Sequence, residues 1–185
     1  LKKLESEANY FCTNYIDCRP QAIGRIQHFV SRKAMNIDGL GDETIRLFYD
    51  LGFLRDIADI YNLNYDEISK IEGYGEKSAE NLKSGIEESK LNSFQKVLFG
   101  IGIRYVGESA SKKIIKHVDS IDKLAHMDIE SLSSIDEIGD KTAKSIADFF
   151  SDINNIQIIN KLKSFGLNFY QKDNDIQSAK LNGII

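Results

Sequence analysis

A short glycine turn, repeated four times, is the part of this sequence best suited to chemistry. Residues 37–45 read Ile-Asp-Gly-Leu-Gly-Asp-Glu-Thr-Ile, so two glycines bracket one apolar residue and an acidic residue opens the next segment. The pattern returns as Ile-Glu-Gly-Tyr-Gly-Glu-Lys-Ser-Ala at 71–79, Ile-Arg-Tyr-Val-Gly-Glu-Ser-Ala-Ser at 103–111 and Ile-Asp-Glu-Ile-Gly-Asp-Lys-Thr-Ala at 135–143. The leading isoleucines are separated by 34, 32 and 32 residues, the period of a repeated supersecondary unit. The second glycine is present in every copy, as Gly41, Gly75, Gly107 and Gly139. Glycine at that position is expected to tolerate φ > 0 and to let a partner approach the backbone. Helical spacing continues after each turn, and the first amides of a helix have no intrahelical acceptor. Such a turn therefore offers free N–H groups and a positive dipole end to an anion such as phosphate. One Gly-x-Gly before a helix is common; four in register are a much stronger signal.

Other reactive side chains are sparse. Cys12 and Cys18 form a C-x5-C pair, followed by Arg19 and Pro20. A tetrahedral structural zinc takes four Cys or His ligands, so two free thiols are the simpler reading of this pair on spacing alone. His28, His117 and His126 are isolated, with no H-x-x-x-H and no partner cysteine in a local motif. Acidic residues gather at helix starts and exposed faces, where the macrodipole explains them. There is no G-x-x-x-x-G-K-[ST] loop, and the G-x-G pairs do not belong to a βαβ unit. The chain reads as a binding module without a catalytic centre.

The elements that must position the turns can be read from apolar spacing. Phe29, Val30 and Met35 lead into the first turn, and Ile45, Leu47, Phe48 and Leu51 line the helix after it, with Gly52 at C′. Ile57, Ile60 and Tyr61 mark a short linking helix, and Asn64 with Glu67 resembles a capping box. Ala79, Leu82 and Ile86 face inward after the second turn. Ser93 is expected to cap a helix carrying Phe94, Val97, Leu98 and Ile101. Ala110, Ile114 and Val118 line the third outgoing helix, with Lys112, Lys113 and Lys116 largely outside. Asp128 is expected to cap the helix into the fourth turn. Ala143, Ile146, Ala147 and Phe150 come next, and a last helix near 155–165 ends at Gly166. Leu167, Phe169 and Tyr170 suggest one extended segment, and 172–178 a linker. The fold class is thus all-α, with four hairpins.

Composition sets the remaining bounds. The chain has 185 residues, 42% of them hydrophobic, enough for one or two domains with a core. No run of 18 apolar residues is present, so no membrane span is expected. The chain begins at Leu1, without a signal-peptide pattern, and looks like a fragment. The net charge of −4 is unevenly spread. Residues 1–35 hold six Lys and Arg against three Asp and Glu, and residues 96–118 hold five against one. Residues 36–95 and 119–185 are both acidic. Clustered positive charge is what a nucleic-acid footprint requires, although solvated helix faces would give the same count. On the residues alone, a nucleic-acid module and a helical protein-interaction scaffold both remain open.

The repeated h-x-G-h-G turn resembles the helix-hairpin-helix motif of DNA repair and replication proteins. Two longer runs narrow the resemblance. His-Phe-Val-Ser-Arg-Lys-Ala-Met-Asn-Ile-Asp-Gly-Leu-Gly at 28–41 and Phe-Gln-Lys-Val-Leu-Phe-Gly-Ile-Gly-Ile-Arg-Tyr-Val-Gly-Glu at 94–108 are similar to segments of bacterial NAD-dependent DNA ligases. Cys12 and Cys18 resemble the second cysteine pair of that family's four-cysteine zinc finger. The resemblance covers about residues 8–170. It implies a zinc-finger remnant at 1–27, a helix-hairpin-helix DNA-binding domain at 28–170, and a linker with the possible start of a BRCT domain at 171–185. It also implies a cytoplasmic, monomeric enzyme of replication and repair that seals nicks in double-stranded DNA. NAD and magnesium would be bound upstream, where the adenylated lysine of a K-x-D-G motif lies; this sequence has no such motif, so the fragment should be inactive alone. A helix-hairpin-helix module from another repair protein is the alternative.

Within that family the four hairpins form two paired units that grip the duplex through phosphates on the minor-groove side. Carried onto this sequence, the contacts are the amides around Gly39, Leu40 and Gly41, around Gly73, Tyr74 and Gly75, around Val106 and Gly107, and around Ile138 and Gly139. Leu40, Tyr74, Val106 and Ile138 are expected to pack the hairpins with their side chains. Lys77 and Lys141, two residues past the key glycine, can add charge at the same phosphate, as can Arg32 and Arg104. The third and fourth copies lack the first glycine. Arg104 and the lysines after it compensate the third; the fourth has only Lys141 and is expected to be the weakest contact.

Overall fold

The computed structural model describes residues 2–3, 10–11 and 18–171. Cys12, the expected linker at 172–178 and the possible BRCT start lie outside the described residues. Ten α-helices make up most of the described chain. A pair of two-residue antiparallel strands, β1 (Lys2–Lys3) and β2 (Tyr10–Phe11), accompanies them, with Lys2 opposite Phe11.

Each hairpin joins two helices. α1 (Arg19–Val30) and α2 (Asp42–Asp50) flank the first turn. α3 (Tyr65–Ile68) and α4 (Glu76–Ser89) flank the second, after a 3₁₀ turn at Asp59–Asn62. α5 (Phe94–Gly100) and α6 (Glu108–His117) flank the third. α7 (Ile121–Ala125) leads to α8 (Ile129–Ser133), and α8 and α9 (Asp140–Ser151) flank the fourth. α10 (Ile153–Ser164) closes the helical part. α1 crosses position 27 and buries Ala22, Ile23, Ile26, Phe29 and Val30, so the boundary expected at 27/28 falls inside a helix of the common core.

One hydrophobic core runs through all four hairpins, from Ile23 to Phe169. Close helix crossings organise it. At Gly100 a Cβ would meet Phe29 Cδ2 at 3.3 Å, Ala34 Cβ at 3.5 Å and Met35 Cγ at 3.6 Å, so the missing side chain lets α5 lie against α1. His28 Nε2 donates to the Phe99 carbonyl at 2.8 Å across the same crossing. That contact gives the isolated histidine a packing role. Tyr61 ties the 3₁₀ turn to both ends of the chain, edge-on to Phe29 and stacked on Phe165, with its hydroxyl 2.9 Å from Ser89 Oγ. Burial pushes the Tyr61 hydroxyl far above its ordinary pKa.

The expected punctuation is largely present. Asn64 Oδ1 accepts from the Asp66 and Glu67 amides, and its Nδ2 donates to Glu67 Oε1 at 2.9 Å. Asp128 Oδ1 accepts from the Ser131 amide at 2.7 Å, which holds its carboxyl below the usual range. Gly52 and Gly166 end their helices with φ of 85° and 90°. Ser93 departs from expectation: it occupies the N-cap of α5, but its side chain makes no capping bond. The extended segment at 167–170 pairs with the start of α7, where the Ile121 amide donates to the Phe169 carbonyl at 2.9 Å and Ser120 bridges Tyr170.

Candidate nucleic-acid interface

All four turns share one backbone course, and it reverses the role expected of the two glycine positions. The positive φ falls at the first position: 89° at Gly39, 86° at Gly73, 65° at Tyr105 and 65° at Glu137. Three of the turns close with a bond from the fourth residue to the first: Tyr74 to the Ile71 carbonyl at 2.9 Å, Val106 to Ile103 at 3.0 Å, and Ile138 to Ile135 at 3.0 Å. A positive φ confined to the third residue of four is the mark of a type II turn, which favours glycine there. The second glycine needs no such freedom. Gly41, Gly75, Gly107 and Gly139 have φ of −71°, −126°, −82° and −80° with ψ near ±180°, which any residue adopts. A Cβ added at any of the four meets nothing within 4 Å of the chain. Nothing inside the molecule demands a bare α-carbon at these positions.

The second glycine is the N-cap of each outgoing helix. Its carbonyl accepts the first helical bond, from Ile45, Ala79, Ser111 and Ala143 at 2.9–3.0 Å. None of α2, α4, α6 and α9 has a side-chain cap. Four helices that do not start from these turns behave differently: α3, α7, α8 and α10 are capped by Asn64, Ser120, Asp128 and Asp152. The chain thus caps four helices with side chains; α1 and α5 go without a capping bond from Cys18 and Ser93, and the four hairpin helices have a glycine N-cap with no side chain at all. Free amides, a dipole end and an exposed α-carbon at every N-cap suit an anion that comes close. An exposed acid at the first helical position, Asp42, Glu76, Glu108 or Asp140, opposes that anion while favouring the dipole.

Neighbouring hairpins are joined through these ends. Thr44 Oγ1, in the first turn of α2, lies 2.7 Å from Tyr74 Oη of the second hairpin. In return the first hairpin sits on α4, where a Cβ at Gly39 would lie 3.4 Å from Leu82 Cδ1 and one at Gly85 3.2 Å from the Asp38 carbonyl oxygen. Ser109 Oγ donates to Glu137 Oε2 at 3.2 Å, and Lys113 Nζ reaches Asp136 at 2.6 Å and Glu137 at 3.2 Å, joining α6 to the fourth hairpin. Lys33 Nζ is 3.7 Å from Glu108, which brings the approach to the first hairpin beside the start of α6. These contacts set the hairpins in the spatial order second, first, third, fourth.

The expected contact residues divide by side chain. Arg32, Lys77, Arg104 and Lys141 are exposed or partly so, Lys77 and Lys141 as the second residues of α4 and α9. Arg104 lies over the Tyr105 ring, 4.9 Å from its centroid. Leu40, Val106 and Ile138 are buried in the core, and Tyr74 packs against Phe48. Their side chains pack the turns, as expected. The amides of Tyr74, Val106 and Ile138, expected among the contacts, are occupied in turn closure, which leaves the first-turn amides of each outgoing helix as the ones without an intrahelical acceptor.

Lys113 departs from its expected exposed place. It is largely covered, and its ion pairs raise its own pKa and hold the Asp136 carboxyl below the usual range. The third hairpin's lysines therefore do not all serve the third hairpin: one of them pairs with the two acids of the fourth and offsets part of their charge. Sequence reasoning passed over Lys113, Ser109, Thr44 and Gly85 in these roles, because each partner lies 23 to 47 positions away. The positive φ of Tyr105 and Glu137 was open to inspection, since both align with Gly39 and Gly73.

Among the described residues no group of three or more His, Cys, Asp or Glu side chains could hold a metal. Cys18, the one described thiol, is half-buried at the N-cap of α1. Together with Cys12 it supplies at most two of the four ligands a structural zinc needs, so this ligand set does not complete the site.

Residues 31–88 match the family described as SAM-like helix-hairpin-helix tandem, and residues 96–159 the one described as helix-hairpin-helix motif. Residues 31–159 are thus a tandem of helix-hairpin-helix repeats. Proteins named DNA ligase are among the chain's relatives. The DNA ligase of Flavobacterium psychrophilum is 46% identical over 187 residues, covering 100% of this chain and 28% of the relative. That of Bacteroides fragilis is 47% identical over 176 residues, covering 95% of this chain and 26% of the relative. That of Parabacteroides distasonis is 42% identical over 186 residues, covering 100% and 28%. The chain thus spans little more than a quarter of the length of the ligases it matches.

Proposed function

We propose that this chain holds duplex DNA for a bacterial DNA ligase, and does so without reading sequence. The observation that carries the reading is the bare N-cap: the four helices after the turns start from an uncrowded glycine with no side chain over their first amides, while the other six start from residues that carry side chains, four of which cap. Backbone amides recognise phosphate oxygens, which are identical at every step of a duplex, so binding tolerates any sequence. The bare α-carbons at Gly41, Gly75, Gly107 and Gly139 let the backbone close on the phosphate. Arg32, Lys77, Arg104 and Lys141 add charge beside them. The names of the relatives support the ligase assignment.

The finer parts of the reading rest on the family resemblance. The parent enzyme is NAD-dependent and seals nicks in double-stranded DNA during replication and repair, with NAD and magnesium bound by other domains. Zinc belongs to a finger that Cys12 and Cys18 would complete with two further cysteines. The 185-residue chain by itself has no ligase activity, acts as a monomer and works in the cytoplasm. No described helix is long and apolar enough to cross a membrane.

The test is duplex binding measured by fluorescence anisotropy at low salt, with Gly41→Val and Gly107→Val. Both variants should fold, because the glycines are extended and the space is open. Each should weaken binding, because a branched side chain stands where the phosphate must sit. Unchanged affinity in folded variants would remove the hairpins from the contact.

A further inference from the structure

Four turns share one backbone course, yet they place glycine at the strained position only twice. Tyr105 and Glu137 stand there with φ of 65°, where a non-glycine residue costs about 1 kcal/mol or more. Such positions cluster at functional sites. Glu137 bonds to Ser109 and Lys113. Tyr105 is 48% exposed. Arg104 lies over its ring, and the pair stands directly before Val106 and the N-cap Gly107. Residues 96–118, around it, carry the concentrated positive charge.

We infer that Tyr105 is a non-ionic DNA contact: its ring packs on the deoxyribose face of the duplex next to the phosphate held by the third hairpin. The inference rests on the DNA-holding reading of the chain. A flat apolar ring under a planar guanidinium matches the two faces of the backbone, sugar and phosphate. Bases in a duplex are paired and stacked, so the exposed apolar surface nearest a bound phosphate is its sugar. The Arg104–Tyr105 stack presents ring and cation together, and it keeps a sequence-independent contact at a hairpin that lacks its first glycine. The two side chains should leave different marks. Arg104 releases counterions and enters the salt slope, whereas a ring on a sugar releases none.

The test measures duplex affinity of the 185-residue chain against salt for the unaltered protein, Tyr105→Gly, Tyr105→Phe and Arg104→Gln, with thermal unfolding as the control for folding. Tyr105→Gly should weaken binding on the order of fivefold, in the range seen when an aromatic contact to nucleic acid is removed. Its salt slope should be unchanged and its thermal stability equal or higher, because the turn strain is gone. Tyr105→Phe should bind like the unaltered chain. Arg104→Gln should lower the slope by about one. Unaltered affinity in Tyr105→Gly overturns the inference while leaving the DNA-holding reading in place. So does a Tyr105→Gly loss that comes with a fall in slope, since the ring would then act only by placing Arg104. Failure of the unaltered chain to bind duplex at low salt overturns the DNA-holding reading and this inference with it.

Discussion

At the scale of single residues, the two glycines of the first and second turns do opposite work. Gly39 is held at a φ of 89° with Leu82 3.4 Å from where a Cβ would stand. Gly39→Ala should therefore cost about 1–2 kcal/mol of stability in urea unfolding, by backbone strain and crowding. Gly41→Ala, extended and uncrowded, should stay within about 0.5 kcal/mol. Seen in sequence alone, the two are indistinguishable, and the one present in all four copies looks like the strained one. Lys113 and Asp136 give a residue-scale test by pH. The lowered Asp136 pKa stabilises the fold above the ordinary aspartate range, an effect lost as pH falls through the lowered value. The raised Lys113 pKa stabilises below the ordinary lysine range, an effect lost as pH rises through the raised value. The pair is therefore intact across neutral pH. An NMR titration should find Asp136 ionising below ordinary aspartates, and Lys113→Met should return it toward them.

At the scale of elements, glycines inside helices decide how closely the hairpins approach one another. Gly100 and Gly24 both sit within helices, but only Gly100 has neighbours. Gly100→Val should drive α5 off α1 and destabilise by about 1–3 kcal/mol, as overpacking does. Gly24→Ala has nothing within 4 Å of its new methyl and should stabilise by about 0.5–1 kcal/mol through helix propensity. Chemical denaturation of the two variants separates the cases. The helices themselves were legible from apolar spacing: the residues expected inward on α4 and α5, Leu82 and Val97 among them, are buried, as are Ala143 and Ile146 of α9, while Ala147 and Phe150 of the same helix are only half-buried. Leu47 and Leu51 were expected to face inward on α2, yet they are 36% and 50% exposed. The same helix packs inward through Ile45 and Phe48, and the apolar pattern does not say how far round the helix the core extends.

At the scale of the whole molecule, the contacts that order the hairpins second, first, third, fourth all join residues far apart in sequence. If the four N-termini work on one duplex, affinity should fall steeply with salt, because each cation at a phosphate releases counterions. Replacing Lys77 or Lys141 by glutamine should lower the log–log salt slope by about one each, with equal effect on unrelated duplex sequences. The fourth hairpin, expected to be the weakest contact because it has only Lys141, also carries Asp136 and Glu137, which share the single charge of Lys113 from α6.

The sequence by itself determined the repeat, the helices, the glycine turns and most of the caps. Each of these is a local matter: a residue's own conformational preference, or a partner three or four positions along. Tertiary structure decided which glycine is strained, which caps were left unmade beside those that were made, and which lysine serves which hairpin. The first two depend on the turn type, which is set by how the flanking helices pack. The last depends on an ion pair whose members are 23 residues apart. No spacing rule reaches across that distance, and only the folded chain brings Lys113 to Asp136.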